Sequence, residues 1–163
     1  MIQKVTIQDI DVLLKLVQNV IHHMRNQGID QWDEFYPDKE ILEKDIYNQQ
    51  AFGYYEDNAL CAYLTLNEEF DEEYLKVNWK TTGKPLIIHR LFIQAEKQGK
   101  GIAKKLIDFA EAYAKEHQYQ SLRLDAFSKN PGALHLYESR GYIKAGEVQF
   151  RKGTFYCYEK NIQ

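Results

Sequence analysis

Residues 96–105 read EKQGKGIAKK, a lysine-rich stretch punctuated by Gly99 and Gly101. It follows the apolar run PLIIHRLFI at 85–93 and leads straight into a helical pattern. A helix start leaves backbone N–H groups unpaired and attracts anions. Glycine there lets the backbone come close to them. A nucleotide-triphosphate loop needs G-x-x-x-x-G-K followed by Ser or Thr. Gly99-Lys100-Gly101 has neither that spacing nor the hydroxyl. A dinucleotide loop needs a third glycine where this chain has Lys104, and a large cation there would hold helix and strand apart. On its own, the stretch stays open between a pyrophosphate cradle and a plain basic helix start.

Reading outward, the run at 85–93 suits a central strand covered on both faces. Ile102, Leu106, Phe109, Ala110 and Tyr113 predict a helix over about 100–116. A strand at 120–127, a short helix at 131–140 and strands at 142–150 and 153–161 complete this half. The last two strands meet at the turn Arg151-Lys152-Gly153. Toward the N-terminus, 2–6 reads as a strand and Thr6-Ile7-Gln8-Asp9 as a capping box with Asp in place of Glu or Gln. Leu13, Leu14, Val17, Val20, Ile21 and Met24 then recur at helical spacing, with Gly28 as the stop. An aromatic loop, GIDQWDEFYPDKE, precedes a helix at 38–49. The segments 51–56 and 59–67 form a hairpin around Glu56-Asp57-Asn58. Residues 68–84 carry no clear period, and a short helix is expected within them because long structureless loops are uncommon. The order βααβββαβαββ predicts a mixed α/β fold with antiparallel hairpins and one βαβ unit.

Composition narrows the function. A chain of 163 residues suits one domain. No apolar run approaches the ~18 residues of a membrane span, and MIQKVTIQDID does not read as a signal peptide, so a cytoplasmic protein without a membrane partner is expected. A net charge of −3 and a pI of about 6.0 argue against nucleic acid. Cys61 and Cys157 belong to no C-x-x-C pair, so neither a zinc cluster nor a disulfide framework is expected, and no metal is expected.

Two motifs then converge. Gln98-x-x-Gly101-x-Ala103 after a buried strand resembles the Q/R-x-x-G-x-G/A signature of the GCN5-related N-acetyltransferases (GNAT). Residues Asn130 to Tyr142, NPGALHLYESRGY, are similar to that family's N-x-x-A-x-x-L-Y-x-x-x-G-F/Y motif. Together with their connection they cover about residues 86–145. The resemblance implies a single GNAT-like α/β domain over 1–163, with a mostly antiparallel twisted sheet of about six to seven strands and about four helices. It implies acetyl-CoA as cosubstrate and a primary amine on a small molecule or peptide as acceptor. Gln98, Gly99, Lys100, Gly101, Ile102, Ala103 and Lys104 would wrap the pyrophosphate, and backbone groups of Leu91, Phe92 and Ile93 would hold the pantetheine arm. Tyr137 falls on the family's general-acid tyrosine. Asn130 would contact the cofactor or cap the following helix. A homodimer is common in the family, and the sequence leaves the assembly open.

The acceptor side is less determined. The stretch Gln31-Trp32-Asp33-x-x-Tyr36-Pro37 resembles uncharacterised bacterial members. Trp32 and Tyr36 would line the acceptor pocket there, or else fold over their own loop. His89 is a candidate base in the central strand, with a hydrogen-bonded core histidine as the alternative. Asp33 and Glu34 could act through water. The acidic run 68–73 could attract a cationic amine or simply be solvated. Neither cysteine carries a nucleophile motif, so direct transfer is expected. The rival reading is a non-catalytic acyl-CoA-binding or sensing module on the same fold. Tyr137 at the acid position favours catalysis.

Overall fold

In a computed structural model that describes residues 1–162, the apolar run at 85–93 is a strand at the middle of the hydrogen-bonding order. The elements are β1 (Ile2–Lys4), α1 (Ile10–Asn26), α2 (Lys39–Tyr47), β2 (Ala51–Glu56), β3 (Ala59–Asn67), β4 (Pro85–Ile93), α3 (Ile102–Glu116), β5 (Ser121–Phe127), α4 (Pro131–Ser139), β6 (Ile143–Phe150) and β7 (Gly153–Asn161). Short 3-10 turns occupy Ile7–Asp9, Glu72–Lys76 and Ala95–Lys97. The seven strands pair in the order β1-β2-β3-β4-β5-β7-β6. The β1–β2, β2–β3, β5–β7 and β6–β7 pairs are antiparallel, and β4–β5 is parallel. The expected mixed, mostly antiparallel sheet with four α-helices is what forms.

The chain divides into two compact units. The first comprises Met1–Leu66 and Arg90–Phe109. Its core is built from the apolar stripe of α1, where Leu13, Leu16, Val17, Val20 and Met24 are buried at spacings of three and four. Burying each such side chain stabilises by about 1.5–3 kcal/mol. The capping box expected at Thr6–Asp9 does not form, since neither Thr6 nor Asp9 caps through its side chain. Asp9 is recruited elsewhere: Tyr55 Oη donates to its Oδ2 at 2.8 Å.

The second unit comprises Asn67–His89 and the chain from Ala110 onward. Along β5, Leu122, Leu124 and Ala126 alternate with Arg123, Asp125 and Phe127, so the two sets point to opposite faces. The expected short helix within 68–84 is the turn Glu72–Lys76. That segment is held mainly by side chains of neighbouring strands. Lys80 and Thr81 N–H donate to Glu159 at 2.8 Å each, Arg123 Nη2 donates to the Thr81 carbonyl at 3.0 Å, and His89 Nε2 donates to the Glu69 carbonyl at 3.0 Å. Burial works against the charge on Glu159, yet the hydrogen bonds from Thr81 and Lys80 hold its carboxyl below the usual range. Cys61 and Cys157 are free and buried in β3 and β7.

Candidate active site

In the first unit, the loop between β4 and α3 is anchored at its start and open at its tip. Asn19 of α1 accepts from Ala95 N–H at 3.0 Å, and Gln98 Nε2 donates to the Ile93 carbonyl at 3.1 Å. Gly99 and Gly101 adopt φ of +77° and +83°, which disfavours a side chain, and a Cβ at either would meet nothing within 4 Å. Ile102 is buried and pins the first turn of α3. The backbone bond from Lys105 N–H to Gly101 O, at 3.2 Å, closes that turn. The N–H groups of Ile102, Ala103 and Lys104 precede it and are the unpaired donors of the helix start. Lys97 is occupied by Glu56 at 3.1 Å, and Lys105 lies against Tyr54, 5.5 Å from the ring centroid. Lys100 and Lys104 are exposed. An open glycine turn, helix-start N–H groups and two exposed cations fit a pyrophosphate.

Just upstream, Phe92 and Ile93 bury their side chains and Leu91 is half-buried. The parallel ladder of β4 with β5 covers Pro85–Ile87 against Ser121–Arg123, so Leu91–Ile93 lie beyond it. Within the strand, Arg90 has φ of +53°, uncommon for a residue with a Cβ. Its guanidinium is clamped: Nε donates to Asp45 Oδ2 at 2.8 Å, Nη2 to Asp45 Oδ1 at 2.6 Å and Nη1 to Tyr36 Oη at 2.9 Å. Tyr63 Oη and Thr65 Oγ1 also donate to Asp45 Oδ2, at 2.9 and 2.8 Å. Burial opposes the Arg90 charge, but Tyr36 and Asp45 keep the group protonated. Trp32 is in the core, edge-on to Phe92 with centroids 5.6 Å apart. Of the two aromatics expected at the acceptor, Tyr36 is half-buried beside Arg90, while Trp32 packs beneath as core.

In the second unit, Asn130 caps α4, its Oδ1 accepting from Ala133 N–H at 3.2 Å with Pro131 following. Tyr137 is buried on α4, its ring 5.9 Å from Tyr142 and 6.2 Å from Tyr158. Burial, with a contribution from Asp125, pushes its phenol well above the ordinary value near 10. His89 is partly exposed, and because a carbonyl only accepts, its contact with Glu69 puts a proton on Nε2. Among the described residues no group of three or more His, Cys, Asp and Glu is arranged to hold a metal, and no helix is long and apolar enough to cross a membrane.

The sequence profile of the Acetyltransferase (GNAT) family matches residues 21–142, more than half of the chain. The chain belongs to that family. As a GNAT protein it is an acyltransferase. It is 23% identical over 158 residues to S-(2-succino)cysteine N-acetyltransferase of Bacillus subtilis (strain 168), covering 94% of this chain and 90% of that protein. A shorter match, 31% identical over 74 residues, covers 45% of this chain and 30% of human N-acetyltransferase 8. A GNAT-family acetyltransferase from Streptococcus agalactiae 2603 superposes with a TM-score of 0.84 at 24% identity, over 99% of this chain and 94% of that one. The PaiA N-acetyltransferase of Thermoplasma acidophilum, solved in complex with coenzyme A, gives a TM-score of 0.75 at 19% identity over 99% and 98%.

The residues that sequence reading of this GNAT chain passed over are Asp45 and Arg90. Each left a signal. Asp45 falls in the buried stripe of α2 between Leu42 and Ile46, and Arg90 stands inside the apolar run at 85–93. A buried charge requires an opposite one, so the two imply each other. Asp125 was likewise passed over; it sits in a strand of buried residues with Tyr74 Oη donating to its Oδ2 at 2.6 Å.

Proposed function

We propose that this chain, as a single domain, transfers the acetyl group of acetyl-CoA directly to a primary amine of a small molecule or peptide. The observation that carries the reading is the open Gln98–Lys104 turn. It combines positive-φ glycines, helix-start N–H groups and exposed Lys100 and Lys104 directly after β4. Gln98 through Lys104 would hold the pyrophosphate, and the backbone of Leu91–Ile93 the pantetheine arm. Asn130 serves α4 as its cap and supports the site by fixing the start of the helix that carries Tyr137. Bound acetyl-CoA supplies a thioester whose sulfur leaves as a thiolate. Tyr137 is the candidate proton donor to that sulfur. Its raised phenol stays protonated through neutral pH, so the donor is present whenever it is needed. Tyr36, held by Arg90, is one candidate acceptor-side residue. The Bacillus subtilis relative is named for an amino-acid substrate, so amino-acid amines belong in the acceptor screen.

Calorimetry with coenzyme A, followed by thiol release from acetyl-CoA with a panel of amines, tests the reading. Binding with turnover supports it. Tight binding with no turnover on amines, amino acids or peptides would favour an acyl-CoA-sensing module instead.

A further inference from the structure

We propose that Asp125 takes up the proton that the acceptor amine must lose, with the Tyr74 hydroxyl relaying it. The inference rests on the acetyl-transfer reading and supplies the proton acceptor which that reading lacks. On the same face of β5, the charge of Arg123 is answered by the Thr81 carbonyl and by the Trp79 ring, 4.5 Å away. Glu159 is answered by the amides of Lys80 and Thr81. Asp125 differs. Among the described residues it forms no ion pair, and its hydrogen-bonding partner is the Tyr74 hydroxyl at 2.6 Å. The groups around it are Tyr74 and Asp71 of the 68–84 segment, Tyr137 of α4 and Cys157, its register partner on β7. None of these supplies a positive charge.

A carboxylate in such surroundings gains by accepting a proton. Burial pushes the Asp125 carboxyl up to about 6, with Asp71 adding to the rise and the Tyr74 hydrogen bond opposing it. The neighbouring Cys157 thiol is pushed up to about 12 by burial and by the Asp125 charge. At pH 7 Asp125 is therefore ionised, and it is a stronger base than an exposed aspartate.

Tyr74, itself 3% exposed, borders a pocket that opens to the surface. With Phe70, Leu75, Trp79, Ile87 and Arg123 it lines an open cavity of about 160 Å³, and Phe70 and Leu75 are exposed. A cavity of about this size accepts a benzene-sized group, so the apolar part of a small amine has a seat beside Tyr74. The ammonium proton passes to the Tyr74 oxygen as the phenolic proton passes to Asp125 Oδ2. A neutral amine and a carboxylic acid result, and the acid later returns its proton to solvent.

The test follows coenzyme A release by wild type and by Asp125→Asn, Asp125→Glu and Tyr74→Phe. The acceptor is whichever of phenethylamine, tyramine, leucine amide and spermidine the wild type uses fastest. Wild-type kcat/KM should rise with pH through about 6 and then level. Asp125→Asn should lower it by about a hundredfold at pH 7. That deficit should shrink about tenfold per pH unit toward the amine's own pKa, because the free amine then forms without help. Asp125→Glu should restore part of the rate, and Tyr74→Phe should reproduce the deficit with an unchanged near-ultraviolet circular dichroism spectrum. A deficit uniform across pH, or an intact rise near pH 6 in Asp125→Asn, overturns the proposal. If Asp125→Asn does not fold, Tyr74→Phe decides, and wild-type rates in it refute the relay. Wild type that binds coenzyme A but releases none with any of the four amines sinks the transfer reading itself, and the proposal with it.

Discussion

Removing the Asp45 carboxylate should cost far more than removing an ordinary surface charge. Its side chain is 4% exposed and that of Arg90 10%, and Asp45 accepts from Arg90 twice, from Tyr63 and from Thr65. Asp45→Ala leaves a buried guanidinium without its counter-charge and two hydroxyl donors without their acceptor. Breaking a buried pair from one side costs about 3–5 kcal/mol, whereas exposed pairs contribute about 0–1. Against a total stability of about 5–15 kcal/mol this is a large share. At about 2–4 °C per kcal/mol for a domain of this size, the melting temperature should fall by about 6–20 °C. Urea unfolding followed by far-ultraviolet circular dichroism gives the free energy by linear extrapolation. The double variant Asp45→Leu with Arg90→Met removes both charges and should recover most of the loss. A cost below about 1 kcal/mol for Asp45→Ala, or a double variant as unstable as the two singles summed, would refute the clamp.

Tyr137→Phe should lower kcat by about a hundredfold or more while leaving the affinity for acetyl-CoA within about twofold, since it removes only the phenolic proton donor; calorimetry beside steady-state kinetics reads both. Because burial holds that phenol above its ordinary value, and an acid is lost only as pH rises through its own pKa, the wild-type rate should show no alkaline decline below about pH 10 attributable to Tyr137. Gly101→Glu places a β-carbon on a residue with φ of +83° and an anion at the proposed phosphate site, so coenzyme A binding should disappear from calorimetry while the fold survives. Glu159→Gln should lose about 1–2 kcal/mol at pH 7. The carboxyl is held below its ordinary value in the folded state, so its stabilisation is full above about pH 4.5 and drains as pH falls; denaturation midpoints of the two proteins should converge in acid.

Local pattern carried much of the fold. The α1 stripe, the β2–β3 hairpin and the bounds of β4 to β7 follow from spacing and turn residues, each a property of near neighbours. What spacing could not deliver were partnerships between distant residues. Asp45 and Arg90 select each other across 45 positions, and neither helical nor strand period encodes that choice. Thr6–Asp9 had the composition of a cap, but the tyrosine that claims Asp9 lies 46 residues away. Residues 68–84 looked patternless because strand side chains, Arg123, Asp125 and Glu159 among them, hold their backbone and their one buried tyrosine in place. At the proposed site, family motifs in the sequence mark the glycine turn and Tyr137. Trp32 had two readings from sequence, pocket lining or a loop folded over its own aromatics; in the fold it is 8% exposed and belongs to the core cluster.

The burial of both cysteines has a practical side. Cys61 is 2% exposed and Cys157 fully enclosed, so the folded protein should be silent toward an aromatic disulfide reagent. Every chromophore released in an Ellman assay would then count coenzyme A alone, with no protein blank to subtract. With the acceptor left out, the same reagent becomes a clock. Slow colour development would time how often β3 and β7 come open, without any label or mutation.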